Sequence, residues 1–128
     1  MVELINELKS NDWLIGIATN KSRIGLTNGL AKHNLSNIFD ITLSTDENIA
    51  KPNPAMALRA MKELGVEEKY SVIIGDTIND IGLGVNSGIT SIGVTWGYNN
   101  RKLLMSAGAN HLVDNAQDLS KLMNKLFF

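Results

Sequence analysis

The sequence of 128 residues contains no cysteine, which excludes disulfides, a thiolate nucleophile and any thiolate metal site. A metal in this protein has to be held by oxygen or imidazole. The chain also lacks an excess of charge. Its 12 basic and 13 acidic residues leave a formal net charge of -1, and no basic cluster interrupts the balance. There is no electrostatic reason to expect nucleic acid or an anionic membrane as a partner. No apolar run approaches the roughly 18 residues that a membrane span requires. Residues 1–12, MVELINELKSND, are acidic and amphipathic instead of basic and then apolar. The expectation is a cytoplasmic protein. Linkers, repeats and low-complexity stretches are absent, and the length suits one domain over residues 1–128.

Apolar runs of strand length alternate with segments of helical period. Residues 2–10 read as a short amphipathic helix with Ile5 and Leu8 inward, followed by a strand over 14–19. Ser22 can cap a helix running to about Asn34, and 39–43 reads as a second short strand. Asn53 and Pro54 suit the start of a helix that places Leu58, Met61 and Leu64 on one face and ends at Gly65. A strand over 71–75 leads into a helix stopped by Gly88. Residues 90–95 give a fourth strand, a helix from Asn100 stops at Gly108, and 111–114 give a fifth strand. Asn115 caps a last helix carrying Leu119, Leu122, Met123, Leu126 and Phe127 at helical spacing. This alternation predicts an α/β fold with a mostly parallel sheet and helices on both faces. Ligands then bind beyond the carboxyl ends of the strands.

Residues 72–82, VIIGDTINDIG, place two carboxylates, Asp76 and Asp80, at the end of an apolar run. Burying either without a partner is costly, and their proximity adds repulsion, so a positive charge belongs between them. Two further polar stretches follow strands: Thr19-Asn20-Lys21 and Lys51-Pro52-Asn53-Pro54. All three are expected on one edge of the sheet.

In this order and at these distances, Thr19-Asn20-Lys21, KPNP at 51–54 and GDTIND at 75–80 resemble the second, third and fourth motifs of the haloacid dehalogenase superfamily of phosphohydrolases. The subgroup that fits carries a small helical cap and includes phosphoglycolate phosphatase, pyrophosphatase and β-phosphoglucomutase relatives. GVTWGYN at 93–99 and GANHLVDN at 108–115 are similar to its phosphoglycolate phosphatase branch. The resemblance implies a Rossmann-like three-layer core and a magnesium-dependent phosphatase acting on a small phosphomonoester. It implies that Asp76 and Asp80 hold the magnesium ion, Asp80 directly or through water. It further implies that Thr19 and Asn20 bind the phosphoryl oxygens, and that Lys51 neutralises charge beside the transferring group. Lys21 is expected to face solvent. The glycines at 82 and 84 are expected to allow close helix packing, Trp96 and Tyr98 suit either the substrate border or plain core or rim, and His33 and His111 carry no assigned chemistry.

The family reaction also needs an aspartate nucleophile and a second aspartate two residues later, at the end of the first, central strand. No Asp-X-Asp occurs in this chain. By the resemblance, the first strand, its two aspartates and the cap are missing, so the isolated chain is expected to be inactive. The alternative is a non-catalytic remnant that binds phosphate, magnesium or a partner. In the family's sheet the missing strand lies between the strands at 14–19 and 71–75. Those two strands would then pair directly, or accept a complementing N-terminal segment or a second copy, or belong to a longer protein.

Overall fold

The computed structural model describes residues 2–127. The chain runs α1 (Val2–Ser10), β1 (Gly16–Ala18), α2 (Arg23–Lys32), β2 (Ile41–Leu43), α3 (Ala55–Leu64), β3 (Val72–Gly75), α4 (Ile78–Ser87), β4 (Thr90–Val94), α5 (Arg101–Ser106), β5 (His111–Val113) and α6 (Ala116–Phe127). A 3-10 turn at Glu68–Tyr70 precedes β3. The predicted alternation is present in full, with strands one to three residues shorter than their apolar runs.

The helix ends follow from local chemistry. Ser22 Oγ accepts from Gly25 N at 3.1 Å, Asn100 Oδ1 from Leu103 N at 3.0 Å and Asn115 Oδ1 from Asp118 N at 2.8 Å, each satisfying a first-turn donor. Gly65 ends α3 at φ 69°, and Gly88 ends α4 at φ 79°, in the left-handed region that glycine enters without strain. Asn53 Oδ1 accepts from Ala55 N at 2.9 Å, so α3 begins one residue later than predicted.

Strand alternation divides the core in two. Ile92 and Val94 of β4 face α1 and α6, where Leu4, Leu8, Leu119 and Met123 are buried. On the other face Leu43, Met56, Ala57, Met61, Leu83 and Ile89 pack together, with Ile73 against them. This is a helix–sheet–helix layering. Two details of helix phase differ from expectation. Leu4, not Ile5, joins Leu8 in the core of α1, and Leu58 of α3 is exposed while Met56, Ala57 and Met61 are buried. Positions 57, 61 and 64 keep the i, i+4, i+7 stripe, and Leu58 falls one step off it. Gly82 and Gly84 do allow close approach: a Cβ at Gly82 would meet Pro52 at 2.7 Å, and one at Gly84 would meet Ile73 at 2.7 Å.

All ladders are parallel, but they do not form one sheet. β1 pairs with β2, and separately β3 pairs with β4 and β4 with β5. The direct β1–β3 pairing considered from the sequence does not form. The two strands instead border a common cavity of about 470 Å³. Beneath it α3 packs against both α4 and the β1–β2 pair, which joins the two halves.

The β2 side is locked by Arg23, whose guanidinium donates to Thr42 Oγ1 at 2.7 Å and Thr42 O at 2.8 Å and pairs with Glu47. Arg23, with Ser44 donating at 2.7 Å, holds the Glu47 carboxyl below its ordinary value of 4.5. A lowered folded-state value means stabilisation that is complete above 4.5 and is lost as the pH falls through the lowered value. Glu47→Gln is therefore expected to flatten part of the acid limb of the stability curve, read from urea midpoints between neutral and acid pH. Because the pair is solvent-accessible, high salt should shrink the difference from the wild type.

Candidate active site

The β3–α4 turn is built around its two carboxylates. Thr77 caps α4: its Oγ1 accepts from Asp80 N at 3.2 Å, while Asp80 Oδ2 accepts from Thr77 N at 3.2 Å and Thr77 Oγ1 at 2.9 Å. This reciprocal capping box folds the Asp80 side chain back over the strand end. Room for it exists only because residue 75 is glycine, where a Cβ would lie 2.3 Å from Asp80 Oδ2. Asp76 is cradled in the same manner from the loop after β4. A Cβ at Gly97 would lie 2.3 Å from Asp76 Oδ2, which accepts from Tyr98 N at 2.9 Å.

Between the carboxylates and the first two strands sits Lys51. Its ammonium pairs with Asp80 Oδ1, and both side chains are only 10% exposed. A positive charge beside Asp80 is thus supplied within the chain. The Lys51–Pro52 peptide is cis. Asn20 holds the Lys51 backbone from the β1 side, its Oδ1 accepting from Lys51 N at 2.8 Å and its Nδ2 donating to Lys51 O at 3.2 Å. Thr19 N continues the ladder to Leu43 O at 3.0 Å, and Thr19 Oγ1 accepts from Lys21 N at 3.2 Å. Among the described residues, the Thr19 hydroxyl hydrogen meets no acceptor, so it can be donated to a ligand oxygen. Thr45 Oγ1 steadies this turn by donating to Lys21 O at 3.2 Å. Lys21 itself is exposed, as expected.

A chain of contacts therefore joins Asn20, Lys51, Asp80, Thr77 and the adjoining Asp76 at the carboxyl edge of the strands, with Thr19 beside Asn20 in the same turn. Two of these residues are more committed than the sequence suggests. The Asn20 amide is occupied by the Lys51 backbone, and both Asp80 oxygens are engaged by Lys51 and Thr77. Among the described residues, Asp76 Oδ1 accepts no hydrogen bond. Among the described residues no group of three or more His, Asp or Glu side chains converges. The donor set is one open carboxylate oxygen on Asp76 with a second, engaged carboxylate nearby. That fits magnesium, which accepts one or two carboxylates and fills its remaining positions with water or phosphate oxygens.

Asn99 was not singled out from the sequence, except within GVTWGYN. Its N–H donates to Asp76 O at 2.9 Å and its Oδ1 accepts from Ile78 N at 2.8 Å, so it brackets the turn that carries Asp76. The residues lie 21 or more positions apart, and no local pattern announces the pairing. Trp96 and Tyr98 both stand exposed on this loop, Tyr98 at 84%. They are rim residues. Among the described residues, His33 and His111 belong to no cluster of three or more ligating side chains.

The sequence profile of the haloacid dehalogenase-like hydrolases matches residues 1–94, which contain Thr19, Asn20, Lys51, Asp76 and Asp80. The chain belongs to this family. Among similar proteins, pyrophosphatase PpaX of Bacillus mycoides is 28% identical over 125 residues, covering 97% of this chain and 58% of the relative. A Bacillus cereus PpaX is 29% identical over 126 residues, with the same coverage. Of solved structures, a hydrolase from Pseudomonas syringae superposes with a TM-score of 0.86 at 27% identity, over 97% of this chain and 60% of that one. This haloacid dehalogenase-like chain thus spans a little over half the length of the relatives it matches, and its layered fold is theirs.

Lys51→Met leaves Asp80 charged and enclosed without its partner, and should lower unfolding free energy by about 3 kcal/mol in urea melts at neutral pH. Adding Asp80→Asn keeps an acceptor for Thr77 N and removes the stranded charge, so the double variant should regain more than half of the loss. Equal losses in the single and double variants would show that the pair is not the source.

Proposed function

We propose that this chain supplies the magnesium- and phosphate-binding side of a haloacid dehalogenase-type phosphatase site that acts on a small phosphomonoester. We further propose that the chain by itself does not turn substrate over. The observation that carries the reading is the continuous contact network from Asn20 through Lys51 to Asp80 and Thr77, with an open Asp76 oxygen beside it, all on the strand edge where an α/β fold binds ligands. The names of the relatives, pyrophosphatase and hydrolase, agree in reaction class.

In this reading magnesium, when bound, offsets phosphate charge and polarises a phosphoryl oxygen. Asp76 Oδ1 would hold it, with Asp80 placed for a water-mediated contact. Thr19 would donate its hydroxyl to a phosphoryl oxygen. The Lys51 ammonium, which has hydrogens beyond the one directed at Asp80, would present positive charge to the same group. Asn20 and Asn99 would act as positioning residues for Lys51 and Asp76. None of these groups attacks phosphorus. The sequence has no cysteine and no Asp-X-Asp, so turnover requires a nucleophile from outside these residues.

The mutual saturation of Lys51, Asp80 and Asn20 favours a second reading, in which the network is retained as structure and the domain is non-catalytic. A magnesium titration followed by NMR separates the two. The first reading expects shifts centred on Asp76 and its neighbours, saturating at millimolar magnesium and lost in Asp76→Asn. A flat titration leaves the second. Both readings expect no hydrolysis of p-nitrophenyl phosphate above background by the 128-residue chain. Magnesium-dependent turnover that Asp76→Asn abolishes would overturn that expectation and reveal an unrecognised nucleophile.

A further inference from the structure

Helix α2 carries a dipeptide whose local preference opposes it. Asn28-Gly29 is a strong turn signal, because both residues tolerate a positive φ, yet it lies inside the helix Arg23–Lys32. Gly25 and Gly29 each add conformational freedom that a helix must remove. Tertiary packing does little to offset this. Leu26 is the one buried residue of α2, and it belongs to neither of the two core clusters. Helix α4, of the same length, buries Asp80, Ile81, Leu83, Gly84 and Ser87. In α2, Ile24 is 73% exposed, and Thr27, Asn28, Ala31 and Lys32 are exposed with it.

The two ends of α2 are held unequally. At its start Ser22 Oγ accepts from Gly25 N at 3.1 Å, and the Arg23 guanidinium is anchored on Thr42 and Glu47. At its finish, among the described residues, backbone alone closes the turn: Asn34 N donates to Ala31 O at 3.2 Å and Leu35 N to Leu30 O at 2.8 Å. The residue that turns left-handed there is Asn34, at φ 57°, a position glycine would fill without strain. The second half of α2 is therefore the part that opens first, leaving the first turn in place. Asn28 stands at that division, and among the described residues its side-chain amide makes no hydrogen bond.

We infer that Asn28-Gly29 is a site of spontaneous covalent modification, reached by local opening of the second half of α2 and not by unfolding of the domain. In the closed helix the Gly29 nitrogen is tied into the backbone ladder and cannot approach the Asn28 side chain. Once the turn opens, no Cβ on Gly29 obstructs the approach, and its nitrogen attacks Asn28 Cγ. The new N–C bond closes an imide ring, the bond from Cγ to Nδ2 breaks, and the amide proton of Gly29 leaves with that nitrogen as ammonia. Water then adds to one of the two imide carbonyls. Opening on one side gives aspartate, and opening on the other gives isoaspartate, whose main chain is one carbon longer. Either product resists closure of the helix. A carboxylate at this position lies toward the negative end of the helix dipole, and the extra main-chain carbon breaks the regular ladder. The change is one-way, while Ser22 and Arg23 keep their own holds at the start of α2.

The test incubates the 128-residue chain for days in mildly alkaline buffer without denaturant. Each asparagine is followed by peptide mapping and by enzymatic methylation of isoaspartate. Asn28 is expected to convert ahead of Asn124, which is also exposed inside a helix but precedes lysine. Three variants locate the route. Gly29→Ala fits without a clash, since a Cβ there meets nothing within 4 Å, and helix propensity alone should cut the opened population about fivefold. Ala31→Gly, at an exposed position, leaves the dipeptide intact and should speed conversion about fivefold in the folded chain. The same substitution should leave the rate in a free peptide of residues 24–32 unchanged. Ile92→Val trims the core packed against α1 and α6 and should populate the globally unfolded chain about fivefold more, yet the Asn28 rate should stay the same. Failure of Asn28 to convert ahead of Asn124, no response to Ala31→Gly, or acceleration by Ile92→Val would each overturn the inference. The incubation contains neither magnesium nor phosphate, so its outcome is independent of the proposed phosphatase reading.

Discussion

The ion pair between Lys51 and Asp80 is the constraint on which the carboxyl edge of this protein depends. The two sheets share no ladder, so hydrogen bonding between strands cannot set their relative position at the site. Below the cavity the α3–α4 packing does so. At the site edge the link is Lys51, carried by the segment after β2, reaching Asp80, carried by the turn after β3. A pair this enclosed gains Coulomb energy in a poorly screened environment but pays for desolvating both ions, and the net is commonly near zero. Its consequence is geometric. Separating the halves would leave an ammonium and a carboxylate uncompensated in a site that exposes only a tenth of either.

The other contacts at the edge support that link. Asn20 grips the Lys51 backbone on both sides, so the ammonium is delivered from a fixed base. Thr77 takes the second Asp80 oxygen and thereby fixes which lone pairs remain for lysine. Asn99 and Tyr98 hold Asp76 from the loop after β4 without using its second oxygen. Glycine at 75 and 97 is what lets both carboxylates lie against backbone. The turn is preorganised in the sense that its polar groups are placed by partners other than the ligand, which lowers the ordering cost of binding one.

Local chemistry was legible in the sequence, and long-range pairing was not. Ser22, Asn100 and Asn115 cap helices because an N-cap side chain bonds a backbone N–H two or three residues on, a relation contained in a few letters. Thr19, Asn20, Lys51, Asp76 and Asp80 could be grouped on one sheet edge because parallel α/β topology places strand ends together. That Lys51 would satisfy Asp80, 29 positions away, or that Asn99 would cap α4, follows from the packing of the whole fold. Leu58 shows a smaller failure of the same kind. An apolar residue beside a stripe reads as part of it, and only the location of the β1–β2 pair and α4 decides which side of α3 is inward.

The charge balance of the edge connects its incompleteness to its chemistry. Lys51 cancels Asp80, which leaves one carboxylate, Asp76, with an oxygen to spare. A single carboxylate is a weak site for a cation that sheds water reluctantly. In the proposed reading, affinity for magnesium then rises only when another anionic oxygen arrives, from a phosphate or from a carboxylate brought in beside the strand ends.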